Sequence, residues 1–174
     1  MNRILFYIHY NKSDELSGHV LYQLEQIRPL FSRVIFISNS HLDQNHIEKL
    51  KMTGIFEIIQ RENIGFDFAA WRDGMKYVGF DHLEKYDSVT LMNDTCIGPL
   101  WSLKPYFSSF ESAIDCDFWG MTNFKRTKYF REHVQSYFVS YSQAVVSSKV
   151  FQKFWTSIKT VSYTHLRAHE TRHD

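Results

Sequence analysis

The sequence has little cysteine, no surplus of charge of either sign and no long apolar run, and each shortage removes a class of protein. Cys96 and Cys116 are the only thiols among 174 residues. At unrelated spacing they form neither a disulfide framework nor a zinc-ligand pattern, which suits a reducing cytosol. Twenty Lys and Arg against 19 Asp and Glu leave a net charge of +1. No overall field therefore draws the chain to nucleic acid or to an anionic bilayer, and an anionic ligand has to be held by a local site. No stretch approaches the roughly 18 apolar residues of a membrane span, and residues 3–9 turn polar too soon for a signal peptide. A cytoplasmic location is expected, with membrane contact peripheral, at the inner face of the plasma membrane. Linkers, repeats and low-complexity segments are also missing, so 174 residues imply one domain. What is present, 44% hydrophobic and 17% aromatic residues, suffices for a globular core.

The order of elements reads β-α-β-α-β. Residues 4–10 form an apolar strand, 11–14 supply turn and cap chemistry, and a helix follows with Leu16, Val20, Leu21, Leu24 and Ile27 on one face. Asp14 and Glu15 are expected in its first turn, and Pro29 ends it. A second strand at 33–37, a weaker helix closed by Gly54 and a third strand at 55–59 come next. Alternation of this kind implies an α/β fold, a mostly parallel sheet with right-handed crossovers and helices on both faces, which binds ligands at the strand carboxyl ends. Further on, a helix at 66–77 leads to a fourth strand at 88–92. A short helix at 103–110, a strand at 117–122 and a β run at 135–146 follow. A last helix is expected to set Val150, Phe151, Phe154, Trp155 and Ile158 on one face.

Three segments could carry chemistry. In the strand-to-helix turn ENIGFDFAAW at 62–71, Gly65 permits a close backbone approach, and Asp67 either caps free N–H groups or bonds a sugar hydroxyl. Asp94 follows the fourth strand, where a carboxylate can hold Mg²⁺ or Mn²⁺ against a diphosphate or close an Asx-turn before Gly98-Pro99. His133 and Gln135 open the later β run beside aromatics, as a sugar-gripping mouth or as structural groups. The basic cluster at 125–131 reads as a solvated loop, or as a surface meeting phosphate or an anionic membrane. No G-x-G-x-x-G follows the first strand, which counts against a dinucleotide site.

These segments carry a resemblance. LFYIHYN at 5–11, FISNS at 36–40, ENIGFDFAAW at 62–71, LMND at 91–94 with GPL at 98–100, DFWGMT at 117–122 and HVQSYF at 133–138 resemble, in that order, the rhamnan synthesis protein F family. The resemblance implies a GT-A-like glycosyltransferase domain over 1–160 and transfer of rhamnose from a dTDP-sugar donor to a lipid-linked glycan acceptor. It assigns His9, Tyr10, Asn63, Gly65, Asp67 and Asp94 to nucleotide, sugar and metal, with Asp94 as the metal ligand; His133 and Gln135 are expected at the acceptor or sugar on their own chemistry. Many GT-A enzymes carry Asp-x-Asp after the fourth strand. Here one carboxylate stands there, and no catalytic base is evident. A non-catalytic nucleotide-sugar or glycan-binding module is the other reading.

Residues 161–174 break in composition, being polar with three histidines. Reverse-translated, 161–171 resembles one frame of a transposon-end sequencing adaptor, so 161–174 reads as a non-native tail on an incomplete domain. The spacing of His165 and His169 beside Glu170 would otherwise suit a metal on a helix. Deleting 161–174 is expected to leave the melting temperature nearly unchanged, as a thermal scan of both forms would show.

Overall fold

The computed structural model describes residues 1–159. Strand β1 (Arg3–His9) lies inside a six-stranded sheet, with β2 (Arg33–Ser38) parallel on one side and β4 (Ser88–Asn93) parallel on the other. Strand β3 (Glu57–Gln60) pairs parallel with β2. Beyond β4 the direction reverses: β8 (Phe138–Ser142) is antiparallel to β4, and β5 (Phe118–Gly120) is antiparallel to β8. The order is β3-β2-β1-β4-β8-β5, so all strands but β8 run the same way. The sequence expectation of a mostly parallel α/β sheet therefore holds.

Alternation along β1 divides the core. Leu5 and Tyr7 face a layer built from Val20, Leu24, Leu50 and Phe107, on α1 (Gly18–Ile27), α2 (Gln44–Met52) and α5 (Lys104–Glu111). Ile4, Phe6 and Ile8 face Trp71 and Met75 of α3 (Phe66–Val78), with Phe151 and Trp155 of α7 (Lys149–Ser157) in the same layer. Both faces are thus covered, which is why this strand is apolar without interruption. Two short helices, α4 (Phe80–Leu83) and α6 (Gln143–Val146), and a 3₁₀ turn at Arg28–Leu30 complete the main body.

Three local expectations need correction. Helix α1 starts at Gly18, with no acidic residue in its first turn. Asp14 adopts φ 58°, a left-handed conformation that stops a helix from forming through it; its carboxylate accepts from His41 N at 2.8 Å. The β run at 135–146 is three pieces. Residues 135–137 form the turn that follows β7 (His133–Val134), which pairs with β6 (Asn123–Phe124) in a separate hairpin, and Ser142 ends β8 by capping α6, accepting from Val145 N. On α7, Phe151 and Trp155 are buried, whereas Val150 and Phe154 are exposed. Residues 151, 155 and 158 follow the helical period, and 150 and 154 lie about 100° off that stripe.

Helix α3 touches the sheet through its backbone. A Cβ at Gly74 would lie 2.4 Å from Ile37 Cδ1 and 2.8 Å from Phe6 Cδ1, and both of those side chains are fully buried. Gly74→Ala would gain about 1 kcal/mol in helix propensity. Overpacking a tight core costs about 1–3 kcal/mol, so the variant is expected to be less stable in urea unfolding, against the usual sign for glycine within a helix.

Candidate functional site at the carboxyl edge of the sheet

Parallel pairing brings the ends of β1, β2, β3 and β4 to one edge. His9, the last residue of β1, is fully buried. Its Nε2 donates to the carbonyl of Glu15 at 3.2 Å, so in the neutral ring Nδ1 is an acceptor; it lies 3.0 Å from the Ser38 hydroxyl, whose one proton is shared with the Ser40 carbonyl at 2.9 Å. Burial lowers its pKa to about 4, in keeping with a neutral ring. His9 therefore shapes the edge without presenting its ring there. Tyr10, one residue on, is exposed, and its amide donates to Asp94 Oδ2 at 3.0 Å.

At the end of β3 the Arg61 guanidinium fixes the turn. It donates to Asn39 Oδ1 at 2.7 Å, to the Ile64 carbonyl at 2.8 Å and to Asp73 on α3 at 3.0 Å. Asn63 sits half-buried in this turn. The chain then passes through Gly65 at φ 77° and enters α3 at Phe66, itself at φ 52°. Two successive left-handed residues, one of them phenylalanine, are sparsely populated conformations. The surrounding clamp is what holds them. A shallow cavity of about 380 Å³ lined by Asn39, Ser40, His41, Gln60, Arg61 and Glu62 opens beside it.

Asp67, in the first turn of α3, accepts from Asn93 Nδ2 at 2.7 Å. Asn93 Oδ1 accepts from the Thr95 hydroxyl at 2.7 Å, and the Asn93 amide donates to the Tyr137 carbonyl at 3.1 Å. Asn93 thereby joins α3, β4 and the approach to β8, with Asp94 next in the chain. Desolvation raises both carboxyl pKa values, and the Asp67 charge pushes Asp94 up further. The hydrogen bond from Asn93 opposes the rise at Asp67. The Tyr10 amide and nearby His19 oppose it at Asp94. Two motifs 27 positions apart in the sequence thus place two carboxylates on one edge, with Asp94 in the field of Asp67.

His133 and Gln135 lie elsewhere. Both are exposed on the β6–β7 hairpin. The His133 ring stacks on Phe124 with centroids 5.1 Å apart, while Nδ1 donates to the Arg131 carbonyl at 2.8 Å, and the Gln135 side chain accepts from the Thr122 hydroxyl. The hairpin, not the carboxylate pair, holds them. Sequence reasoning missed Asn39, Arg61, Asn93 and His19. Asn39 and Asn93 lie within, and Arg61 adjoins, segments that were quoted without a role for these residues, whereas nothing local in the sequence marks His19. The histidine pair at 165 and 169 lies outside the described residues.

These features define an α/β domain with a polar edge at the carboxyl ends of its parallel strands. The family model described as rhamnan synthesis protein F matches residues 34–173, and the chain belongs to that family. It is also similar to the virulence protein VirA of Vibrio anguillarum, including that of strain ATCC 68554 / 775, at 32% identity over 100 residues. The aligned stretch takes in 57% of this chain and 30% of VirA, so the chain spans about a third of the length of the curated relatives it matches.

His9 gives a signed pH effect. An unfolded histidine protonates near 6.5 and the folded one near 4, so between those values the unfolded chain binds more protons and stability rises with pH. The gain from pH 4 to 7 is about 3 kcal/mol for this group. Urea unfolding at the two pH values should show His9→Gln lacking that increment relative to the unsubstituted chain.

Proposed function

We propose that this chain is the donor-binding domain of a GT-A-type glycosyltransferase that transfers rhamnose from a dTDP-sugar to a lipid-linked polysaccharide acceptor. The observation that carries the reading is the Asp67–Asn93–Asp94 arrangement, in which Asn93 ties one partly desolvated carboxylate to the residue before another at the strand carboxyl edge. Family membership supports the polysaccharide context. In this reading Asp67 accepts a hydrogen bond from a sugar hydroxyl, and the left-handed Gly65 lets the backbone approach the diphosphate. Asn63 completes that wall, and the exposed Tyr10 ring lies beside the nucleoside. His9 positions the edge from beneath.

A divalent cation fits these groups. Among the described residues no cluster of three or more His, Cys, Asp or Glu is assembled, but Mg²⁺ or Mn²⁺ commonly takes one or two carboxylates with the remaining ligands from phosphate and water. Asp94 would hold it, and its charge would offset the desolvation and the Asp67 repulsion that raise the Asp94 pKa. Acceptor deprotonation requires a base, and His133 and Gln135 belong on the acceptor side of this reading.

Calorimetric titration of dTDP-rhamnose, with and without Mn²⁺, tests it. Asp94→Asn should abolish the Mn²⁺-dependent gain. Asp67→Ala removes one hydrogen bond to a charged group, worth about 1.5–3 kcal/mol or about ten- to a hundredfold in affinity. Equal affinities for all three proteins would reject the assignment. Binding with no transfer to any lipid-linked glycan would leave a non-catalytic donor-binding module.

A further inference from the structure

A second feature lies beside the carboxylate edge. The loop after β4 carries Ile97, Leu100 and Trp101, which are 78%, 80% and 63% exposed. The loop is not slack. Gln23 Nε2 donates to the Cys96 carbonyl at 3.1 Å, Tyr22 donates to the Pro99 carbonyl at 3.0 Å, and Trp101 Nε1 donates to the Tyr106 hydroxyl at 3.0 Å. Three anchors from α1 and α5 hold it in shape while its largest apolar side chains point at water. Isolated exposed hydrophobes are ordinary, but a pinned contiguous cluster marks an interaction surface.

The same three residues line an apolar cleft of about 320 Å³, which they share with Met121 and Thr122 at the stem of the β6–β7 hairpin. That hairpin ends in a tip of opposite character to a core turn. Lys125, Arg126, Lys128 and Arg131 are all exposed. Tyr129 and Phe130 stand among them at 81% and 62% exposure. A tight turn, with the Thr127 amide donating to the Phe130 carbonyl at 2.9 Å, sets that tip. The cleft is therefore bounded by the pinned apolar loop and by the two ends of the segment that carries the cationic-aromatic tip, on a chain whose net charge is only +1.

We propose that these two loops form a docking surface for an anionic lipid bilayer, with Ile97, Leu100 and Trp101 entering the interfacial zone and the hairpin cations bound to headgroup phosphates. Aromatic and aliphatic side chains favour the boundary between headgroup and acyl chain, and basic side chains are drawn to anionic leaflets. A protein partner would be expected to bring carboxylates to the cations and a complementary shape to the loop. The mixture of aromatic and basic residues on a short projecting tip, beside separate apolar side chains, matches a fluid surface of uniform charge better. No helix among the described residues is long and apolar enough to cross a membrane, so this contact would be peripheral. The inference does not depend on which donor the carboxylate edge binds.

Flotation of the full chain with vesicles tests it, comparing phosphatidylcholine alone with phosphatidylcholine containing phosphatidylglycerol. The chain should float with the anionic vesicles and stay down with the neutral ones, and binding should fall as salt is raised. Each cation near an anionic leaflet contributes about a fivefold gain in partitioning. The quadruple variant K125S/R126S/K128S/R131S should therefore lose a hundredfold or more. The variant I97S/L100S/W101S should lose at least tenfold at unchanged charge. Both keep the buried core intact, and their melting temperatures and dTDP-sugar affinities without vesicles should match the parent, which separates this proposal from the donor site. Equal flotation with the two vesicle types, or either variant floating like the parent, overturns it. So does a parent that ignores vesicles but forms a dimer that the apolar variant dissolves, since the face would then serve a second copy of the chain.

Discussion

The hydrogen bonding of β1 on both of its edges is the constraint from which the rest follows. Ile4 to Ile8 are essentially removed from water, so every amide in that strand needs a protein partner, and β2 and β4 supply them in parallel register. Parallel pairing requires crossovers, the crossovers bring helices to both faces, and those helices complete the two apolar layers. Strand ends then coincide by geometry. Tyr10, Ser40, the Arg61 turn and Asp94 come from four separate parts of the chain and still share an edge.

The same edge concentrates polar groups that a core would not tolerate. Asp67 and Asp94 are both half-withdrawn from water, and each is offset by one aimed donor, Asn93 Nδ2 or the Tyr10 amide. These bonds leave part of the desolvation cost uncompensated, which is why both carboxyls titrate above their ordinary range. Electrostatic tension of this kind is common where a cation or a ligand completes the set. By contrast His9 is satisfied at both ring nitrogens and Arg61 at three of its donors, so those two groups make the edge rigid.

Much of the sheet was legible because buried parallel strands are apolar runs and the intervening helices carry a clear period. Asp67 and Asp94 could be placed on one side in advance, since right-handed crossovers return each strand to the same edge. Other features depended on information that is not local. Asp14 resembled an N-cap until its left-handed backbone and its bond to His41 assigned it to a loop. The β run at 135–146 looked continuous because Val134, Phe138 and Val145 are all good strand residues, although a hairpin, a strand and a helical turn divide it. Asn39 and His19 join the site only through tertiary contacts from α1 and β2. Phe154 and Val150 were counted as core on hydrophobicity alone, where the helical angle decides.

The reversal of β8 gives this architecture a division of labour. Because β8 runs against β4, it is the beginning of β8, not its end, that arrives beside Asn93, and the Tyr137 carbonyl takes the Asn93 amide there. The β6–β7 hairpin is spliced into the chain just upstream of that junction. Its length and composition can therefore change without moving the register of any parallel strand. The hairpin is in this sense a cassette, attached at a single junction and separable from the frame that sets the two carboxylates.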